Sequence, residues 1–167
     1  MVSLPRLLPW DERWDLSRRE RPMTTEENKA LLRRAWDEVY GQKRLDTLGE
    51  LVLDDVVAHE PDGDVRGIEE FERYLAAYLA AFPDTSVTVE DVVAEADTVV
   101  GRYTVRGTHL GTTEEYGPPT GRQLVTQGVT VYRFRVGRLA EMWDHYDTLA
   151  VAQQLGLVPG AGSPPAP

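Results

Sequence analysis

From Thr24 to Tyr40 the apolar residues recur at helical spacing: Leu31, Leu32, Ala35, Trp36, Val39 and Tyr40 share one side. Thr24 and Glu27 are spaced as a capping box at the start, and Gly41 stands at the end. Leu45, Leu48, Leu51 and Val52 predict a second, shorter helix. Residues 56–61 predict a short strand stopped by Pro61, with Asp62-Gly63-Asp64 as a loop. Ile68, Phe71, Tyr74, Leu75, Tyr78, Leu79 and Phe82 form the wide stripe of a third helix, between Gly67 and Pro83. From Thr85 the period drops to two. Residues 85–95 and 98–109 predict strands joined at Ala96-Asp97. Residues 110–121 are a loop rich in Gly, Pro and Thr. Residues 122–134 and 138–147 predict a second strand pair, and 148–156 a closing helical turn.

Three helices and a short strand followed by four long antiparallel strands make an α+β domain. Long strands twist and curl, and helices packed on the concave side leave one end open. The expected architecture is a cone-shaped α+β barrel: a strongly bent antiparallel sheet with about three helices enclosing a cavity. The domain spans 24–158. Residues 1–23 lack a period and are expected to be a flexible leader, unless Leu7, Leu8, Trp10 and Trp14 cover an apolar surface. Residues 159–167, rich in Pro, Gly and Ala, are expected to be a disordered tail.

The candidate chemistry gathers at Leu139–Asp147. Side chains alternate along a strand, so Leu139, Glu141, Trp143, His145 and Asp147 are expected on one face. That mixture of apolar groups, carboxylates and an imidazole suits a pocket wall. A three-residue connection, Arg135-Val136-Gly137, would place Gln127 beside His145; a two-residue one would bring Thr126, Thr130 and Tyr132 to this face instead. Asp147 reads equally as an N-cap for the following helix or as a proton carrier whose pKa an apolar wall raises. His59 reads equally as a structural histidine at a strand end or as a donor facing the pocket. Glu60 is the weaker candidate. His109, flanked by Gly107 and Gly111, reads more readily as a loop-bonding histidine than as a catalytic one. His145, Glu141 and Gln127 would orient substrate. Trp143, Trp36, Tyr78 and Phe82 are core residues of which some must line the cavity, and Tyr40 and Tyr103 could supply hydroxyl donors.

Composition narrows the chemistry. There are no cysteines, which excludes disulfides and thiolate catalysis and favours a cytoplasmic location. A net charge of −10 without a basic patch argues against nucleic-acid binding. No apolar run is long enough to span a membrane. The three histidines have no partner at metal-ligand spacing, so no metal site is expected. Carboxylates, imidazoles and aromatic walls suit proton transfer without a cofactor.

Several ordered motifs then carry a resemblance: Ala81-Phe82-Pro83-Asp84, Gly107-Thr108-His109 with Gly111, Gly117-Pro118-Pro119-Thr120-Gly121-Arg122, Arg133-Phe134, Gly137-Arg138-Leu139, Glu141 with Trp143 and Asp147, and Gln154-Leu155-Gly156. Over roughly residues 26–158 the chain resembles a SnoaL-like polyketide cyclase, within the nuclear transport factor two-like superfamily. The resemblance implies a cofactor-independent cyclase of bacterial secondary metabolism acting on a small hydrophobic polyketide. It places the family's acid/base Asp on Asp147 and a polar partner near the substrate carbonyl on His59. Such an Asp removes a proton beside a carbonyl, and the enolate closes the ring on a second carbonyl. Positions where aromatic cyclases keep polar groups near this Asp fall on Val131 and Arg133, and Val131 cannot donate a hydrogen bond. Related members open or hydrolyse epoxides, roles that His109 or His59 could share with Asp147 or Glu141. A non-catalytic binding protein for a hydrophobic metabolite is the third reading. A homodimer is expected through an outer sheet face carrying Tyr132, Phe134, Met142 and Tyr146.

Overall fold

The computed structural model describes residues 23–114 and 116–159. The expected leader, apart from Met23, and the tail beyond Pro159 lie outside the described residues. Four α-helices and a six-stranded curled sheet form the α+β cone that the periodicity predicts.

Helix α1 (Thr25–Trp36) starts at the expected capping box. The Glu27 amide donates to Thr24 Oγ1 at 3.2 Å, and the Thr24 amide donates to Glu27 Oε2 at 2.8 Å. Asn28, Leu32 and Trp36 are its buried stripe. The helix then widens into a π-helical turn, Asp37–Gly41, which buries Val39 and brings Tyr40 to the cavity. Helix α2 (Leu48–Leu51) is one short turn.

Strand β1 (Val52–Glu60) begins earlier than the sequence suggests, because Val52 and Leu53 are both buried and extend the run. Asp62-Gly63-Asp64 is not only a loop. Gly63–Arg66 forms β2, an edge strand antiparallel to β1. It escapes prediction because it is four residues long and starts among turn residues. Helix α3 (Ile68–Ala81) packs on β1, with Gly67 at its N-cap in a positive-φ conformation that disfavours other residues.

The long strands are β3 (Ser86–Glu95), β4 (Thr98–Thr108), β5 (Gln123–Arg135) and β6 (Arg138–Tyr146). The sheet order is β2-β1-β6-β5-β4-β3. One pairing departs from the antiparallel expectation: β1 runs parallel to β6. Helix α4 (Thr148–Leu155) closes the chain and ends at Gly156 in the left-handed conformation.

Two local details at the β5–β6 hairpin decide which side chains face inward. The turn is Val136-Gly137, both at positive φ, and Arg135 pairs with Arg138. The connection therefore has two residues, not three. A bulge follows: Phe134 pairs with Leu139 but Arg133 pairs with Glu141, leaving Ala140 as the extra residue. Leu139 faces inward; beyond the bulge the parity inverts. Met142, Asp144 and Tyr146 point into the cone, and Glu141, Trp143 and His145 point out. The expected single face from Leu139 through Asp147 is thus not formed. On β5 the inward row is Leu124, Thr126, Thr130, Tyr132 and Phe134, as a two-residue turn requires. The apolar patch behind the dimer expectation is likewise absent: Tyr132, Phe134, Met142 and Tyr146 line the cavity.

Candidate active site

The cone encloses one deep apolar cavity, about 1220 Å³ when counted out through its mouth. Its walls come from α1, the π-helical turn, α3 and the concave sheet face. All seven tyrosines of the chain line it: Tyr40, Tyr74, Tyr78, Tyr103, Tyr116, Tyr132 and Tyr146. Two carboxylates share the lining, Asp144 and Glu60, and the described residues place no Lys, Arg or His on the cavity wall.

Asp144 is the centre of the polar network. Tyr103 donates its hydroxyl to Asp144, with Oδ1 at 2.8 Å and Oδ2 at 3.0 Å. Thr130 Oγ1 donates to Oδ1 at 2.5 Å, and the His145 amide donates to Oδ1 at 3.1 Å. Burial pushes the Asp144 carboxyl above its ordinary pKa, while the Thr130 and Tyr103 donors act in the opposite sense. Behind it, Trp36 Nε1–H donates to the Tyr132 hydroxyl at 2.9 Å, fixing Tyr132 against the cavity floor. Burial also raises the phenols of Tyr40, Tyr74, Tyr103 and Tyr132, and lifts Tyr78 to about 12. At neutral pH these five phenols are therefore protonated and neutral.

The residues singled out from sequence divide three ways. Tyr40, Trp36 and Tyr78 line the cavity, as does Tyr103. Phe82 and His109 are fully buried but belong to a second core cluster beside it. Their rings stack at 5.3 Å, and Thr120 caps His109 Nδ1 through Oγ1 at 3.3 Å and its amide at 3.4 Å. His109 thus pins the 110–121 loop, with its own backbone bonded to Arg122 and Gly121. The remainder lie outside. Asp147 is exposed and caps α4, accepting the Ala150 amide at 2.9 Å. Gln127 faces outward toward Thr104, and His145 is exposed.

His59, Glu141 and Trp143 form a separate cluster on the convex face. His59 Nδ1 lies 2.7 Å from Asp64 Oδ1 and Nε2 lies 3.1 Å from Glu141 Oε1. Its ring stacks on Trp143 at 5.2 Å, and Arg133 covers the same indole at 5.2 Å. Hydrogen bonds first to Glu141 and then to Asp64 raise the His59 pKa. The alternation of β1 that sends His59 outward sends Glu60 inward.

Of the cavity groups, Asp144 is not singled out by the sequence reading, Glu60 is its weaker candidate, and Thr130 and Tyr132 stand only in its two-residue-turn alternative. The signal for Thr130 and Tyr132 was Val136-Gly137 itself, a two-residue turn. No residue pattern announced the bulge at Ala140. Among the described residues, no three His, Asp or Glu side chains are placed to hold a metal, and no helix is long and apolar enough to cross a membrane.

Comparison with known proteins agrees with this geometry. The SnoaL-like polyketide cyclases match residues 30–155. A protein of Jannaschia sp. CCS1 described as a proposed SnoaL-like polyketide cyclase is 26% identical; the match covers 84% of this chain and 99% of that one, with a TM-score of 0.75. AclR of Streptomyces galilaeus, a proposed hydroxylase, is 28% identical over 82% of this chain and 85% of its own, with a TM-score of 0.72. IdmH of Streptomyces antibioticus, a proposed polyketide cyclase, is 29% identical over 77% and 98%, with a TM-score of 0.65. No protein of curated function matches in sequence. The match over most of the chain, together with the cone and its cavity, shows that the protein belongs to the SnoaL-like polyketide cyclase family.

Proposed function

We propose that the protein is a cofactor-independent cyclase that closes a ring in a small, largely apolar polyketide, with Asp144 as the general acid/base. The observation that carries this reading is the Asp144 carboxylate, set in a desolvated wall and held by Tyr103 and Thr130. Burial raises its proton affinity toward the working pH, which is what a proton carrier needs. Asp144 takes a proton from a carbon beside a carbonyl. The resulting enolate attacks a second carbonyl, and the proton on Asp144 returns to the new alkoxide. Hydroxyls of the lining tyrosines donate to the developing oxyanion. This assigns to Asp144 the role that the family resemblance placed on Asp147, because the bulge at Ala140 carries Asp144 inward and Asp147 caps a helix.

A second reading rests on Glu60. Its presence in the same cavity supplies a second carboxylate, so an epoxide could be opened with one group as acid and the other as base. The two readings separate by mutation: Glu60→Gln should be as damaging as Asp144→Asn only for epoxide opening.

The test is a mass comparison. The protein and Asp144→Asn are incubated with a metabolite extract from a strain lacking this gene, followed by chromatography and mass spectrometry. A product of unchanged mass, or one lighter by a water, that is missing with Asp144→Asn supports ring closure. A product heavier by a water points to epoxide hydrolysis, and one heavier by an oxygen to hydroxylation. Retention of a compound with no change in its mass would make the protein a binding module.

A further inference from the structure

The position of Tyr103 depends on a residue with no side chain. Gly128 lies inside β5, paired with Tyr103 on β4 and with Tyr146 on β6. Glycine weakens a strand interior, so its presence there calls for a reason. Its φ is not in the positive region, so conformational freedom is not that reason. Space is. A Cβ built on Gly128 would lie 2.9 Å from Tyr103 Cε2, and closer still to Cζ and the hydroxyl oxygen. The phenol leans across the β5 backbone at this gap, and its hydroxyl reaches the Asp144 carboxylate on the strand beyond. From the other side the Trp36 indole meets the Tyr103 ring edge-on at 5.8 Å. The ring is buried against both.

We propose that Gly128 is a positioning residue: its missing side chain is the notch through which Tyr103 crosses β5 to hold Asp144 in place. The inference rests on the reading of Asp144 as the acid/base, but its test does not need the substrate. Through Tyr103, Gly128 supplies one of three donors to the ionised carboxylate. Filling the notch removes that donor and leaves desolvation less opposed. The other titratable groups facing Asp144 are Tyr132 from β5, Tyr40 from the π-helical turn and Tyr78 from α3. Glu60 of β1 shares the cavity, and His145 is the next residue on β6.

The experiment follows the Asp144 side-chain carboxyl carbon by NMR through a pH titration, in wild type, Gly128→Ala, Tyr103→Phe and the double variant. The Asp144 midpoint should move upward in Gly128→Ala, in the direction set by Tyr103→Phe. In the double variant it should move no further than in Tyr103→Phe alone. A midpoint in Gly128→Ala that stays at the wild-type value overturns the proposal. Should Gly128→Ala fail to fold, the same substitution in a Tyr103→Val background decides. With the phenol gone, alanine should fit and leave Tm unchanged; a fall in Tm there would show that Gly128 serves the backbone and not Tyr103. A shifted midpoint with unimpaired turnover would uphold the notch while removing Asp144 from the chemistry.

Discussion

The two faces of β6 carry similar residues and do different things. Inside the cone are Met142, Asp144 and Tyr146; outside are Glu141, Trp143 and His145. Each face has a carboxylate beside aromatic rings. Outside, Glu141 meets the His59 imidazole at 3.1 Å and the Arg133 guanidinium at 3.3 Å, in a cluster that solvent reaches. Inside, Asp144 meets neutral hydroxyls and an amide, and burial makes its charge costly. The outer arrangement settles charge, whereas the inner one leaves a proton affinity that a reaction can use. Residue type is therefore a poor guide to a site unless the solvent and the partners are known.

The largest effect expected from breaking this contrast is catalytic. Asp144→Asn keeps the shape and removes the titrating group, so turnover on the true substrate should fall about 10²–10⁴-fold. Glu141→Gln, on the outer face, should leave turnover near wild type. Single-turnover kinetics on the product identified by mass would check both, and equal losses would dissolve the distinction between the faces.

A smaller effect is expected at Asp147. Its side chain caps α4, so Asp147→Ala should cost about 1 kcal/mol of stability, read from urea unfolding. Turnover should change little. A loss of activity like that of Asp144→Asn would return the acid/base role to Asp147.

The smallest effects are in pH dependence, where the faces separate by window. Both Asp144 and His59 have pKa values raised in the folded state, so both make stability fall as pH rises. For Asp144 the fall starts at its unfolded pKa near 3.8 and continues through the folded one. For His59 the contribution is fully present below its unfolded pKa near 6.5 and is lost as pH rises through the raised folded value. Thermal unfolding across pH should lose the first slope in Asp144→Asn and the second in His59→Gln. The His59 slope should also weaken in high salt, since the cluster is partly exposed. A pH profile of His59→Gln that overlays wild type above pH 6.5 would show the outer ion pairs to be inert.

The physics of the comparison also explains what was readable beforehand. Helical and strand periods are properties of neighbouring residues, so α1, α3 and the four long strands follow from the apolar pattern. So does the capping box at Thr24, which needs only residues three apart. The antiparallel hairpins and the cavity follow because twisted strands curl and helices cover the concave side. His59 could be assigned correctly to the face opposite Glu60, but not the face to the cavity. That depended on β1 pairing in parallel with β6, a strand about eighty residues away.

The cavity face of β6 was lost through one residue. A strand has a period of two, so one extra residue inverts every side chain beyond it. Ala140 is that residue, and alanine carries no bulge signature such as a positive-φ glycine would. Tyr103 and Gly128 show the same limit in another form. The sequence contains the glycine, but only the packed sheet places a phenol over it. The sequence by itself determined the elements, their order and the fold class, since these rest on local propensity and alternation. The tertiary structure alone decided that Asp144, not Asp147, meets the cavity, because that depends on strand register and on which groups burial removes from water.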